Sequence, residues 1–432
     1  MQLFKIDAVT VAKHAIQNSA VLKKVGLLSV VRAIAIGSSV LSTAVILRLF
    51  SDTEAGKFFV LLAVAQFLAA GFLGPLGLLA VRFGSIDLAN NDHNSFSRLQ
   101  FFGAFIILLS VPIVYIVHEL LEHLTIINLG EAWLFASVVG TTALVAFVTG
   151  LARASGRVVT AILPENVFRP LGLLAAALVL EAVELITFKE LTQAYAIVLT
   201  FCCMFGAVLV PRPSFSRSIF KVRGFKPLLA AYPALMMYTF VSTALNVTDL
   251  IIVSQLISVE AAASYKVAFQ YSTLIYTGVI FANIIYAPRI SIAYNSSDFR
   301  LLRRLARNSS LIALVLSLVA ALPLLAGPQL FELVFGSVGS EAWVLAVILS
   351  GARIFNAWFG SVTNIAYLTG QAPVLALMQA VGLAGLLVLS PLLASDFGSV
   401  GVALASALAT ITWTIGTALY LQWKLKTKLG PI

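Results

Sequence analysis

Cysteine is nearly missing from this sequence: 432 residues hold two, Cys202 and Cys203, side by side. Adjacent cysteines inside an apolar run build no disulfide framework and carry no redox motif. Charge is scarce too, at 11% of residues, against about 25% in soluble domains. Among the four histidines, the only pair that suggests a metal lies in "HELLEH" at 118–123, five residues apart. On a helix that spacing turns the two rings roughly 140° apart, against about 40° for a four-residue spacing. The stretch therefore reads as a solvated face at an outer helix end. There is no Walker A sequence, so no nucleotide-driven engine resides in this chain, and no cofactor is expected. Short strands of alternating polarity are absent, which excludes a membrane β-barrel. Long external loops are absent as well, leaving no place for the catalytic loop of a membrane glycan polymerase or ligase. The reading is a non-enzyme.

Apolar residues are plentiful: 60% of the chain, with a mean hydropathy of +1.01. About 20 apolar residues cross a hydrocarbon layer of ~30 Å. Twelve such spans are expected, near 25–50, 55–82, 96–118, 130–151, 158–180, 189–210, 227–256, 260–288, 308–326, 341–369, 373–394 and 398–423. Each should be helical, because an α-helix satisfies its own backbone polar groups in lipid. The fold class is thus an all-α integral membrane protein. With a cytoplasmic N-terminus, 21 of the 28 Lys and Arg fall in cytoplasmic segments and three (Arg48, Lys57, Lys189) in external loops. The remaining four, Arg32, Arg169, Lys266 and Arg353, fall inside spans. That asymmetry is the positive-inside rule, so the net charge of +10 reports topology and not nucleic-acid binding. Residues 1–23 lack the apolar core of a removable signal peptide and form either a short interfacial helix (Phe4, Ile6, Val9, Ile16) or a free tail.

The second half echoes the first. "LRLFSDTEAGKFFVLLA" at 47–63 aligns with "VSQLISVEAAASYKVAF" at 253–269, setting Glu54 on Glu260 and Phe59 on Tyr265. "EAW" recurs at 131–133 and 341–343. Six spans per half start both repeats on the same side, the parallel arrangement in which sites lie between halves. The divisions expected are a cytoplasmic segment 1–23, an N-lobe 24–210, a basic linker 211–226, a C-lobe 227–423 and a cytoplasmic tail 424–432.

"VILRLFSDTEAGKFFVLLAVAQFL", "NVTDLIIVSQLISVEAAASYKVA" and "DFGSVGVALASAL" at 396–408 resemble three helix turns of the bacterial Wzx-type (O-antigen) polysaccharide flippases. These belong to a superfamily that also contains multidrug (MATE) antiporters and lipid II flippases. The resemblance covers about 24–423. It implies twelve helices in two six-helix lobes, an inner (cytoplasmic) membrane location with both termini inside, and transfer of lipid-linked sugars to the outer leaflet.

Charges near helix centres are the candidate site. Each costs roughly 2.5–3.5 kcal/mol in lipid, and six occur: Arg32, Glu165, Arg169, Asp249, Lys266 and Arg353. Most must face protein or a wet cavity. Polar residues recur at helical steps beside them: Arg353, Asn356, Gly360, Asn364 and Tyr367 in span ten; Tyr238, Ser242, Asn246 and Asp249 in span seven; Lys266, Gln270, Thr273 and Thr277 in span eight. Such stripes either glue helices together or line a shared chamber. Asp249 and Lys266 share a depth, fit for a structural ion pair or for release of a proton or cation. In "LPENVFRPLG" at 163–172, Glu165 and Arg169 stand four apart and able to pair, between prolines that disrupt the helix. Gly71, Gly74, Pro75 and Gly77 suggest a second kink, in span two.

Joined to the resemblance, these residues give the expected function. A flippase would move polyprenyl-diphosphate-linked oligosaccharide outward by alternating access for surface polysaccharide biosynthesis. Arg32, Arg169, Lys266, Arg353, Asn356 and Gln270 would bind substrate, and Asp249 and Glu165 are candidates for ion coupling. Tyr271, Tyr276, Trp358 and Tyr367 are candidates to stack on sugars. Partners would be the lipid-linked glycan, membrane lipids and a polymerase or glycosyltransferase. The alternative is a multidrug or cation antiporter of the same fold, which would need an acid-dominated site.

Overall fold

A computed structural model describes residues 19–123, 129–213 and 225–425. The possible N-terminal helix, most of the basic linker and the end of the tail lie outside the described residues. What is described is helical, with no strand among those residues. In chain order, α1 is Ser19–Leu49 and α2 is Asp52–Gln66. A π-helical segment, Phe67–Phe72, joins α2 to α3, Pro75–Ala89. Next come α4, His93–His123, and α5, Ala132–Ala154. The short α6, Val158–Ala161, leads through a second π segment, Pro164–Phe168, into α7, Arg169–Ala182. Then follow α8, Phe188–Leu209, α9, Lys226–Leu256, α10, Val259–Asn295, and α11, Phe299–Ala321. The last are α12, Pro328–Phe335, α13, Gly339–Phe359, α14, Val362–Leu368, and α15, Ala372–Leu425.

Eleven helical stretches among the described residues are long and apolar enough to cross a membrane. The eleventh, α15, would extend about 80 Å if straight, far beyond a bilayer of ~30 Å. It is two helices joined at Gly398, whose φ of +57° suits glycine. A Cβ at Gly401 would overlap the Leu393 carbonyl, and one at Gly416 would meet Met378. The two parts therefore run back along one another, as the expected eleventh and twelfth spans. Span ten is also broken. Gly360, at φ +63°, ends α13 where a Cβ would overlap Ser310, and Ser361 bonds Ser309. The polar face expected to run unbroken from Arg353 to Tyr367 is thus cut, because close approach of α11 needs glycine there.

The chain forms two compact units, Ile34–Lys266 and Met1–Ala33 with Val267–Ile432. The cut falls inside α10, so α9 shares a unit with first-half helices. Within Ile34–Lys266, the repeat-related turns touch: Thr53 donates to Glu260 at 2.6 Å, and Gly56 admits the Val259 carbonyl. Glu54 takes Lys57 at 2.9 Å and the Phe188 amide at 2.6 Å. Gly77 and Gly150 let α3 and α5 cross backbone to backbone. Of the two "EAW" motifs, Glu131 bonds Lys189 at 2.6 Å, which holds its carboxyl below the usual range. Glu341 accepts from Ser399 at 2.8 Å.

His118 departs from the solvated face expected of "HELLEH". It is buried, its Nε2 2.8 Å from the Gly130 carbonyl and its ring against Phe135. The helix side that meets α5 takes the imidazole, while Glu119 and His123 stay exposed.

Candidate functional site

Four of the six span charges lie in the unit Ile34–Lys266. The local reason is the stretch between Pro164 and Pro170. Neither proline has an amide hydrogen, so two α-helical bonds are lost. The chain answers with a wider turn, in which the Arg169 amide bonds the Pro164 carbonyl five residues back. The Asn166 side chain caps the Ile162 carbonyl at 3.0 Å. Such π turns occur often at functional sites. They also rotate the side chains off the α-helical spacing. Glu165 consequently meets Arg153 at the end of α5, at 4.0 Å, and not Arg169 as expected. Arg169 still senses the Glu165 charge, along with Tyr195 and Cys202 on α8.

Arg169 and Lys266 influence one another electrostatically, and Lys266 also feels Asp249. Lys266 on α10 is thus within electrostatic reach of two other predicted residues, Arg169 on α7 and Asp249 on α9. Arg169 and Lys266 are partly buried. Asp249 is fully buried, and its carboxylate is engaged: Tyr265 donates to it at 2.9 Å, as does the Leu250 amide. Sequence reasoning set Lys266 opposite Asp249 and missed Tyr265. The repeat held a signal, since Tyr265 aligns with the equally buried Phe59. A phenol at a position that packs as a ring needs a buried acceptor. On α9 the polar stripe is not uniform: Asn246 is exposed and bonds its own helix at Ser242, 2.7 Å away.

The unit containing Val267–Ile432 holds the others. Arg353, partly buried on α13, lies over the rings of Phe269 and Tyr276 on α10, at 5.8 and 5.4 Å from their centroids. Within ~6 Å, aromatic faces attract a guanidinium. Asn356 is 3% exposed and donates to Thr414 on α15 at 2.8 Å, a bond between helices of the gluing kind. Tyr271 is likewise used in packing, its hydroxyl on the Ala320 carbonyl at 2.9 Å. Trp358 is 39% exposed. Arg32 and Gln270 are partly buried. No cluster of metal-ligating side chains occurs among the described residues.

A third arrangement was only half legible in sequence. Pro75 cannot donate to the Gly71 carbonyl, and the Leu76 amide turns to Leu73 instead of Phe72. The carbonyls of Gly71 and Phe72 are taken by α9. The Thr239 hydroxyl lies 2.8 Å from the first, and Tyr232 donates to the second at 2.8 Å. Phe67, Phe72 and Phe240 pack around the junction, with ring centroids 5.2–5.9 Å apart.

No family model matches the chain, and no curated protein matches it in sequence. Its fold matches solved structures. A lipid II flippase MurJ in an inward closed conformation superposes with a TM-score of 0.74 at 15% identity, over 93% of this chain and 88% of that one. An inward-facing MATE-family multidrug resistance transporter of the MOP superfamily gives 0.67 at 14% identity, over 93% and 94%. A MOP-superfamily transporter from Pyrococcus furiosus, described for the reverse polarity of its binding pocket, gives 0.60 at 15%, over 93% and 95%. The chain therefore has the multi-pass helical fold of these transporters.

Proposed function

We propose that this protein is a flippase that carries polyprenyl-diphosphate-linked oligosaccharide from the cytoplasmic to the outer leaflet by alternating access. Its lobes are the repeats 24–210 and 227–423, joined by the basic linker. Arg169 and Lys266, both in the unit Ile34–Lys266, attract the diphosphate. Arginine fits phosphate because its planar donors engage two oxygens at once. One observation carries the reading: Arg169 and Lys266 share a neighbourhood whose fully buried acid, Asp249, is already bonded to Tyr265. A site for cationic drugs needs an accessible, uncommitted carboxylate, and the second acid, Glu165, faces Arg153. The likeness to the lipid II flippase supports the same choice of lipid-linked anion.

The test is a pair of assays in proteoliposomes. Wild type should translocate a fluorescent polyprenyl-diphosphate glycan, and Arg169→Ala with Lys266→Gln should slow it at least about tenfold, one lost charge-assisted contact being worth roughly that factor. Ethidium efflux should be absent in both. Efflux in wild type with no glycan transfer would establish the multidrug antiporter instead.

A further inference from the structure

The stretch 289–307, between the expected spans 260–288 and 308–326, is largely helix: α10 runs to Asn295 and α11 starts at Phe299. Asp298 caps α11, its carboxylate accepting the Leu301 amide at 2.9 Å. Arg300, Arg303, Arg304 and Arg307 consequently stand at i, i+3, i+4 and i+7, a single stripe. All four are exposed, while Leu302, Leu305 and Ala306 behind them are buried. None joins an ion pair among the described residues.

A row of arginines is by itself an ordinary solvated face. What lies beyond it on the same helix gives it a different meaning. At 100° per residue, Leu311, Val315 and Leu318 stay within about 60° of the direction of Arg300. They are 41%, 56% and 47% exposed, inside a stretch apolar enough to span a membrane. One uncovered face thus changes from apolar to cationic between Leu311 and Arg307, about 6 Å along the axis. Phe299 and Leu301, 45% and 39% exposed, flank the cationic end with apolar groups suited to a membrane interface.

We propose that this face of α11 binds anionic phospholipid. Acyl chains lie along Leu311, Val315 and Leu318, and the headgroup phosphate meets the arginines. The sequence of contacts matches a lipid read from chain to headgroup. Zwitterionic lipid would gain the same apolar contact without the attraction of net charge. The surface is separate from the transport residues and stands whether or not the flippase reading does.

The experiment places purified protein in nanodiscs of equal phosphatidylglycerol and phosphatidylcholine, then counts the lipids it retains after mild extraction by native mass spectrometry. Wild type should keep a phosphatidylglycerol excess of about fivefold or more, shrinking as salt rises from ~50 to ~500 mM. R300Q/R303Q/R304Q/R307Q should fall to the bulk ratio, and the matching all-lysine variant should retain the excess. R303Q/R307Q, expected to lose about half of it, serves where the quadruple variant does not fold. An undiminished excess in the glutamine variants, or none in wild type, overturns the proposal. So does a polypeptide that co-purifies through these arginines while lipid stays at the bulk ratio, which would assign the stripe to an acidic protein.

Discussion

Two π segments interrupt helices of the same unit, and they are put to opposite uses. At Phe67–Phe72 the break is sealed: Pro75 strands the Gly71 and Phe72 carbonyls, and Thr239 and Tyr232 on α9 occupy them within 2.8 Å. At Pro164–Phe168 the break carries charge: Glu165 and Arg169 are partly exposed, and the ion pair to Arg153 is loose at 4.0 Å. The same backbone defect holds α9 against the segment Phe67–Phe72 in one place and displays charge in the other. The difference lies in what faces the orphaned groups. Hydroxyls on a neighbouring helix close one break, and the other stays on a half-open surface.

Substitutions should separate these roles. The largest effect belongs to the second break, where Arg169→Ala should cut glycan translocation by about tenfold or more with little change in thermal unfolding midpoint. A loss of stability that matches the loss of transport would make Arg169 structural. At the first break, Thr239→Val with Tyr232→Phe should leave two carbonyls without donors. It should destabilise by roughly 2–4 kcal/mol, read from denaturant or thermal unfolding in detergent. Smaller and sharper is a double-mutant cycle: Pro75→Ala restores a donor for Gly71, so Thr239→Val should cost about 1 kcal/mol less in that background. Additive effects would show that Thr239 serves its own helix, whose carbonyls lie at 3.0 and 3.1 Å. The smallest change in stability is expected from Glu165→Gln, below about 1 kcal/mol because the pair is exposed and long. Transport should nevertheless change, and unfolding that shifts by more would place Glu165 with the sealed break.

Much of the architecture was legible in the letters. Apolar length set the spans, and the charge asymmetry set their count. The gap between the expected spans 373–394 and 398–423 marked a reversal, and the structure places it at Gly398, whose φ of +57° suits glycine. The site was legible only as a list. Arg169, Asp249 and Lys266 announce themselves as charges where lipid should be, yet nothing in their spacing says which acid is already bonded. Tyr265 is buried among helices and looks like core until its hydroxyl is traced to Asp249. Asn356 sits on a polar stripe with Arg353, but the break at Gly360 ends that stripe and Thr414 takes the amide.

Sequence alone determined that this chain crosses a membrane many times and that costly charges are kept within its spans. Hydrophobic length, proline and glycine act locally, so their consequences can be read one segment at a time. Tertiary structure decided which partner each polar group has. That depends on helices distant in sequence, on the rotation a π turn gives a side chain, and on where a glycine allows two backbones to meet.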